Sequence, residues 1–158
     1  MDGVLADFDK GVSEKMGKKL DQRQYDTDPK YRSKMWRWVT NYSKRGGKLW
    51  YELPLMPDAM QLWNYVKKFN PQILTAQGNP EYGAEPQKRK WIAEKIGSNV
   101  PVLVTQKSRE KAQYAAPNHI LIDDRKKAIG PWREAGGIGI LHTSAADTIK
   151  QLKELGIE

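Results

Sequence analysis

An α/β fold, with helices on both faces of a parallel sheet and a helical insertion near the amino end, is what three features of this chain predict. The first is the run Ile120-Leu121-Ile122-Asp123-Asp124-Arg125, in which three large apolar residues close on two carboxylates. Two of the three are β-branched, so the run reads as a short buried strand. The second is the regular exchange, from residue 70 onward, of such runs with helical patterns, which is how strand–helix–strand units look in sequence. The third is the stretch 10–69, mainly helical in pattern, which separates that region from the amino-terminal turn.

Composition narrows the classes. The 158 residues suit one domain with a small insertion, long enough for a substantial core. Hydrophobic residues make up 39% and charged residues 29%, so an ordinary globular chain is expected. No apolar run approaches the roughly 20 residues of a membrane span, which argues against a membrane partner. There is no cysteine, which excludes disulfides, thiolate metal sites and cysteine nucleophiles. With no secretory signal at its start, the chain is expected to be cytoplasmic. The net charge of +8 favours anionic partners, whether phosphates, nucleotides or nucleic acid. The basic residues are scattered, however, and simple solubility explains them equally well.

Taken in order, the chain opens with Met1-Asp2-Gly3-Val4-Leu5-Ala6-Asp7-Phe8, where Asp-Gly marks a turn. Residues 10–35 read as polar helix broken at Gly17 and at Asp26 to Pro29. Met35, Trp38, Val39 and Tyr42 then share one helical face, as an amphipathic core helix requires. After Gly46-Gly47 comes the aromatic stretch Leu49-Trp50-Tyr51-Glu52-Leu53-Pro54. Pro57-Asp58 then starts a helix whose buried side would be Leu62, Trp63, Tyr65, Val66 and Phe69. Pro71 to Ala76 is the next strand, ending in Thr75-Ala76-Gln77. A threonine hydroxyl at a strand end, followed by the amides of Ala76 and Gln77, can hold a phosphate; a β-branched residue packing the strand is the plainer reading. A helix over 85–96, a strand over 100–104 and a short helix over 108–115 lead to the Asp123-Asp124 strand. A helix over 128–135, a strand over 138–142 and a closing helix with Ala145, Ile149, Leu152 and Leu155 inward complete the chain. His119 and His142 lack metal-ligand spacing, and the chain has no phosphate-binding glycine loop, dinucleotide fingerprint or repeat.

Paired acids at a strand's carboxyl end lie where open α/β sheets bind ligands. Side by side they repel unless a cation, a lysine or a proton offsets them. Together with Asp2-Gly3-Val4-Leu5 and Ile73-Leu74-Thr75, the Asp123-Asp124 motif resembles the haloacid dehalogenase-like phosphohydrolases. Leu53-Pro54, Met56-Pro57-Asp58-Ala59, Leu62-Trp63 and Trp132 with Ala135-Gly136-Gly137 narrow the resemblance to the 5'(3')-deoxyribonucleotidase branch.

That resemblance implies a Rossmann-like core over 1–9 and 70–158 with a small helical C1-type cap over 10–69. It implies a Mg²⁺-dependent phosphatase that hydrolyses nucleoside monophosphates through an aspartyl-phosphate. Asp2 matches the second aspartate of the first motif, the general acid–base whose carbonyl also faces the metal. Thr75 matches the second motif. Lys111 fits the third-motif lysine, with Lys107 as runner-up. Asp123 and Asp124 would serve the metal, Asp124 the preferred direct ligand. Trp50 and Tyr51 stand where the branch encloses the base, and core packing is the other reading for both. The family's nucleophile lies two residues before the position of Asp2 and so ahead of Met1, as does its strand; a start at an internal methionine would explain both. The alternatives are an inactive nucleotide-binding protein and a phosphatase of nucleic-acid ends, the latter encouraged by the charge of +8.

Overall fold

Seven α-helices and four short strands make up the computed structural model, which describes residues 1–158. The chain begins in a tight loop. The Met1 carbonyl accepts from the Val4, Leu5 and Ala6 amides at 3.2, 2.9 and 3.2 Å, and the Gly3 amide donates back to the Ala6 carbonyl at 2.8 Å. Gly3 sits at φ +77°, and a Cβ there would lie 2.0 Å from an Asp124 carboxylate oxygen. Only glycine meets both demands.

Helix α1 (Phe8–Met16) starts where the Asp7 carboxylate accepts the Lys10 amide, and ends at Gly17 in the left-handed region. Asp7 therefore serves as a helix cap. Helix α2 (Gln22–Thr27) ends at Asp28, which caps α3 (Pro29–Lys44) ahead of Pro29 in its first turn. Met35 and Val39 are the buried pair of the predicted face on α3, while Trp38 and Tyr42 are partly buried and stack on each other. Helix α4 (Ala59–Val66) follows the turn around Pro57. The Asp58 side chain does not cap it but accepts the Ala145 amide at 2.6 Å. Helix α4 thus packs against the closing helix α7 (Ala145–Glu154).

The remainder is two strand–helix–strand units. In the first, β1 (Ile73–Ala76) and β2 (Val102–Thr105) flank α5 (Ala84–Lys95) and pair in parallel, Ile73 opposite Val102. In the second, β3 (Ile120–Asp123) and β4 (Ile138–Leu141) flank α6 (Lys126–Glu134) and pair in parallel, Ile120 opposite Ile138. The expectation of one continuous parallel sheet is corrected here: β1 and β3 do not pair, so there are two sheets of two strands each. Bonding residues alternate along a parallel strand. The Ile73 amide bonds Pro101 and the Ile138 amide bonds His119, which leaves the main chains of Leu74 and Ala76, and of Ile120 and Ile122, on the two outer edges.

The core divides in the same way. A cluster of 21 buried residues runs from the amino-terminal loop and α1–α4 into β1 and α5, and a smaller cluster of Leu121, Ala128, Ile129 and Trp132 fills the β3–α6 unit. Ile122 packs against the larger cluster and Leu74 against the smaller, so side chains link the halves where main chains do not.

Two expected core residues are exposed: Phe69 at 42% and Leu155 at 45%. Each lies past the point where its α-helix ends, Phe69 in a short 3-10 turn and Leu155 beyond Glu154. Helical spacing no longer aims either one inward.

Trp91 is fully buried and donates its indole N–H to the Leu53 carbonyl at 2.8 Å, pinning α5 to the segment before Pro54. Trp91→Ala should cost about 3–5 kcal/mol in denaturant unfolding, whereas Leu155→Ala should fall within about 0.5 kcal/mol of the parent.

Candidate active site

The carboxyl ends of β1 and β3 open into one cavity of about 800 Å³. At its floor, α5 delivers Lys88, a lysine only 3% exposed. Its Nζ donates to Asp2 Oδ2 at 2.8 Å, to Thr75 Oγ1 at 3.3 Å and to the Ala76 carbonyl at 2.6 Å. One ammonium thus ties the amino-terminal loop to the end of β1, and its three donors meet three acceptors. Burial pushes the Asp2 carboxyl up, but Lys88, the Met1 ammonium and Lys111 outweigh it and hold the group below its usual range. Asp2 Oδ1 is buried with no hydrogen-bond partner.

A second buried pair lies across the floor. Lys111, carried by the 3-10 turn Ser108–Tyr114, donates to Asp123 Oδ2 at 2.6 Å, and both side chains are about 7% exposed. Asp123 Oδ1 accepts the Arg125 amide at 2.9 Å. Burial raises the Asp123 carboxyl, and Lys111, the Met1 ammonium and these hydrogen bonds more than reverse the shift. Lys107, the runner-up for Lys111, is exposed on the rim of the cavity. Asp124 has no lysine of its own. Burial and the neighbouring Asp123 charge push it up to about 6, against the opposing pull of Arg125.

The walls of the cavity are aromatic toward helices α1–α3. Trp36 stacks on Tyr82 at a centroid distance of 4.9 Å and on Phe8 at 5.7 Å, while Trp50 lies 6.1 Å from Tyr82. All four line the cavity with Tyr25. Asp2, Thr75, Lys111, Ala76, Gln77, Asp123, Asp124 and Trp50 therefore share it. Tyr51 does not. Its hydroxyl donates to Glu94 at 2.9 Å on the outer side of α5, with Lys90 over its ring. Adjacent residues in this turn point opposite ways, so Trp50 and Tyr51 do not form one pair. The amide of Gln77 is spent on the Thr105 carbonyl at 2.8 Å, so only its side chain remains for a ligand.

Sequence reading missed Lys88, Phe8, Trp36 and Tyr82. Lys88 stands in the run Lys88-Arg89-Lys90, where nothing marks one lysine as buried. The one available signal was its place three residues before Trp91, on the apolar side of α5.

Asp2, Asp123 and Asp124 face the cavity, yet no three acidic or histidine side chains gather as a metal-binding group. The reason is local: Asp2 and Asp123 each turn an oxygen onto a lysine. The oxygens left for a hard cation are the orphaned Asp2 Oδ1 and the Asp124 carboxylate. His142 is buried and bonds Thr148 Oγ1 at 2.7 Å, and His119 bonds the Tyr114 carbonyl at 2.8 Å, so neither histidine serves the cavity.

The chain matches no family model, no curated protein and no solved structure at significance.

The Asp124 shift has a sign that melting curves can read. Raised to about 6 in the folded chain, against roughly 3.9 when unfolded, Asp124 opposes folding once ionised, above that pH. Below about pH 4 both states are protonated and the penalty vanishes. Asp124→Asn should therefore melt higher than the parent at pH 7.5 and at the same temperature at pH 4.

Proposed function

We propose that this cavity is the active site of a Mg²⁺-dependent phosphomonoesterase of the haloacid dehalogenase-like type, acting on nucleoside monophosphates. The observation that carries the reading is the pair of buried ammonium–carboxylate contacts, Lys88–Asp2 and Lys111–Asp123, converging at the ends of two parallel strands beneath an aromatic wall. Buried cations with matched carboxylates form a preorganised seat for a tetrahedral anion. Stacked aromatic rings above it suit a flat base.

In this reading the core is Rossmann-like, with residues 10–69 as the cap. Thr75 Oγ1 and the Lys111 ammonium hold the phosphoryl oxygens, and Lys88, its donors already filled, adds positive charge beneath them. Asp2 is anionic as it stands, which fits the step that takes a proton from water. A phosphate dianion brought against it raises its pKa by like-charge repulsion, which fits the earlier step that gives a proton to the leaving oxygen. The residues fit a hard divalent cation: an unpartnered Asp2 oxygen and a raised Asp124 carboxyl are what an all-oxygen site has to offer. Asp2 and Asp124 would hold it, with Asp123 kept beside them by Lys111, and when bound it would supply charge neutralisation at the phosphoryl group. The attacking carboxylate of this family belongs two residues before Asp2, directly ahead of Met1. The outer edges of β1 and β3, unpaired with one another, suit the strand that would carry it.

Phosphate release from a panel of nucleoside monophosphates, with Mg²⁺ and with chelator, tests the reading. It should be run on this chain and on a form extended by an apolar strand ending in Asp immediately before Met1. Metal-dependent release by the extended form is expected. Its absence overturns the phosphatase, and nucleotide still bound would favour a binding protein, which the lysine-neutralised Asp2 and Asp123 also suit.

In the active form, Asp2→Asn keeps an oxygen for Lys88 but should lower kcat by about 10²–10⁴-fold. Trp36→Ala should raise KM about tenfold or more through lost stacking and leave kcat nearly unchanged. Steady-state kinetics on one nucleotide separates the two.

A further inference from the structure

The cavity carries more positive charge than one phosphate uses. Six cationic side chains line it against three carboxylates. Lys88 and Lys111 are buried and matched to Asp2 and Asp123. Arg125 lies over the Tyr25 ring. The other three, Lys107, Arg109 and Lys127, are exposed, and none forms an ion pair with any carboxylate. They come from one wall: Lys107 and Arg109 flank the start of the 108–114 turn, Lys127 lies in the first turn of α6, and these two elements pack closely together. The aromatic rings come from different elements, α1, α3 and the segments around Trp50 and Tyr82. The cavity therefore has three chemical surfaces: an aromatic wall, a floor of buried ion pairs and a cationic rim.

Like charges gathered without partners repel, and an anion that bridges them removes the repulsion. A monophosphate seated on the floor with its base on the aromatic wall leaves this rim without a counter-charge. The cavity, about 800 Å³, is near the upper end of the range for small-molecule sites, so it has room for more than that ligand.

We propose that Lys107, Arg109 and Lys127 form a second anion subsite, and that the ligand is a mononucleotide carrying two phosphates on its sugar, a nucleoside bisphosphate. The proposal rests on the nucleotide reading above and specifies its substrate. One phosphate lies on the Lys88–Lys111 floor, the base against Trp36 and Tyr82, and the second phosphate on the rim. No covalent step is added.

Binding in chelator, without turnover, tests it, with the fluorescence of Trp36 and Trp50 inside the cavity as readout. The probes are a nucleoside 5'-monophosphate, the corresponding 3',5'-bisphosphate and a 5'-phosphorylated dinucleotide. The bisphosphate should bind about tenfold or more tightly than the monophosphate at low salt, and the advantage should shrink as salt rises. The triple variant K107A/R109A/K127A, altered only at exposed positions, should lose that advantage and keep the monophosphate affinity of the parent. Equal affinities in the parent, or an advantage that survives in the triple variant, overturn the subsite. A dinucleotide that binds more tightly than the bisphosphate overturns the mononucleotide assignment in favour of a strand end. No binding by any nucleotide, in chelator or with Mg²⁺ restored, overturns the nucleotide reading itself, and this proposal with it.

Discussion

The ammonium of Lys88 holds together parts of the chain that have no main-chain connection to one another. It reaches Asp2 in the amino-terminal loop, the hydroxyl of Thr75 and the carbonyl of Ala76 at the end of β1, all from the middle of α5. Burying a lysine is costly unless the charge is paired and its donors are filled. Here both conditions hold, so the position of α5 is set by a group that tolerates no looser arrangement. Trp91, one turn further along α5, bonds the Leu53 carbonyl and fixes the same helix to the segment that closes the aromatic wall. The floor and the wall of the cavity are thus indexed to one helix.

The β3–α6–β4 unit repeats the device with different residues. Lys111 leaves a short 3-10 turn to meet Asp123, and the carboxylate that remains, Asp124, is held against Gly3 where no side chain would fit. The two half-sheets have no ladder between them. What joins them at this end is the amino-terminal loop, which Asp2 ties to Lys88 on the β1 side and Gly3 sets against Asp124 on the β3 side. Such a junction is strong only while its charges stay matched. The chemistry of the cavity and the stability of the junction therefore depend on the same few protons.

Much of the element order was legible because local signals agreed. Gly17 and the Asp26 to Pro29 cluster mark helix ends by backbone chemistry that needs no tertiary partner, whereas the Asp7 cap went unread. The strand runs at Ile73 and Ile120 were clear from β-branched apolar residues closing on Thr75 and on Asp123. Phe69 and Leu155 misled because a periodic pattern persists in sequence after the helix itself has stopped. The continuous sheet was not legible at all: apolar runs announce strands, but which edges pair depends on what lies between them.

By itself the sequence determined the alternation of strands and helices from residue 70, the helical stretch ahead of it and the acidic and hydroxyl residues at the strand ends, since each follows from residue type and spacing along the chain. The tertiary structure alone decided that Lys88 rather than its neighbours is buried, that Trp36 and Tyr82 form the aromatic wall while Tyr51 faces outward, and that Lys107 stays on the rim while Lys111 reaches Asp123. The difference is physical. Turns, caps and periodicity are properties of neighbouring residues, whereas the burial of a charge is settled by partners as far as 86 positions away, as Asp2 is from Lys88.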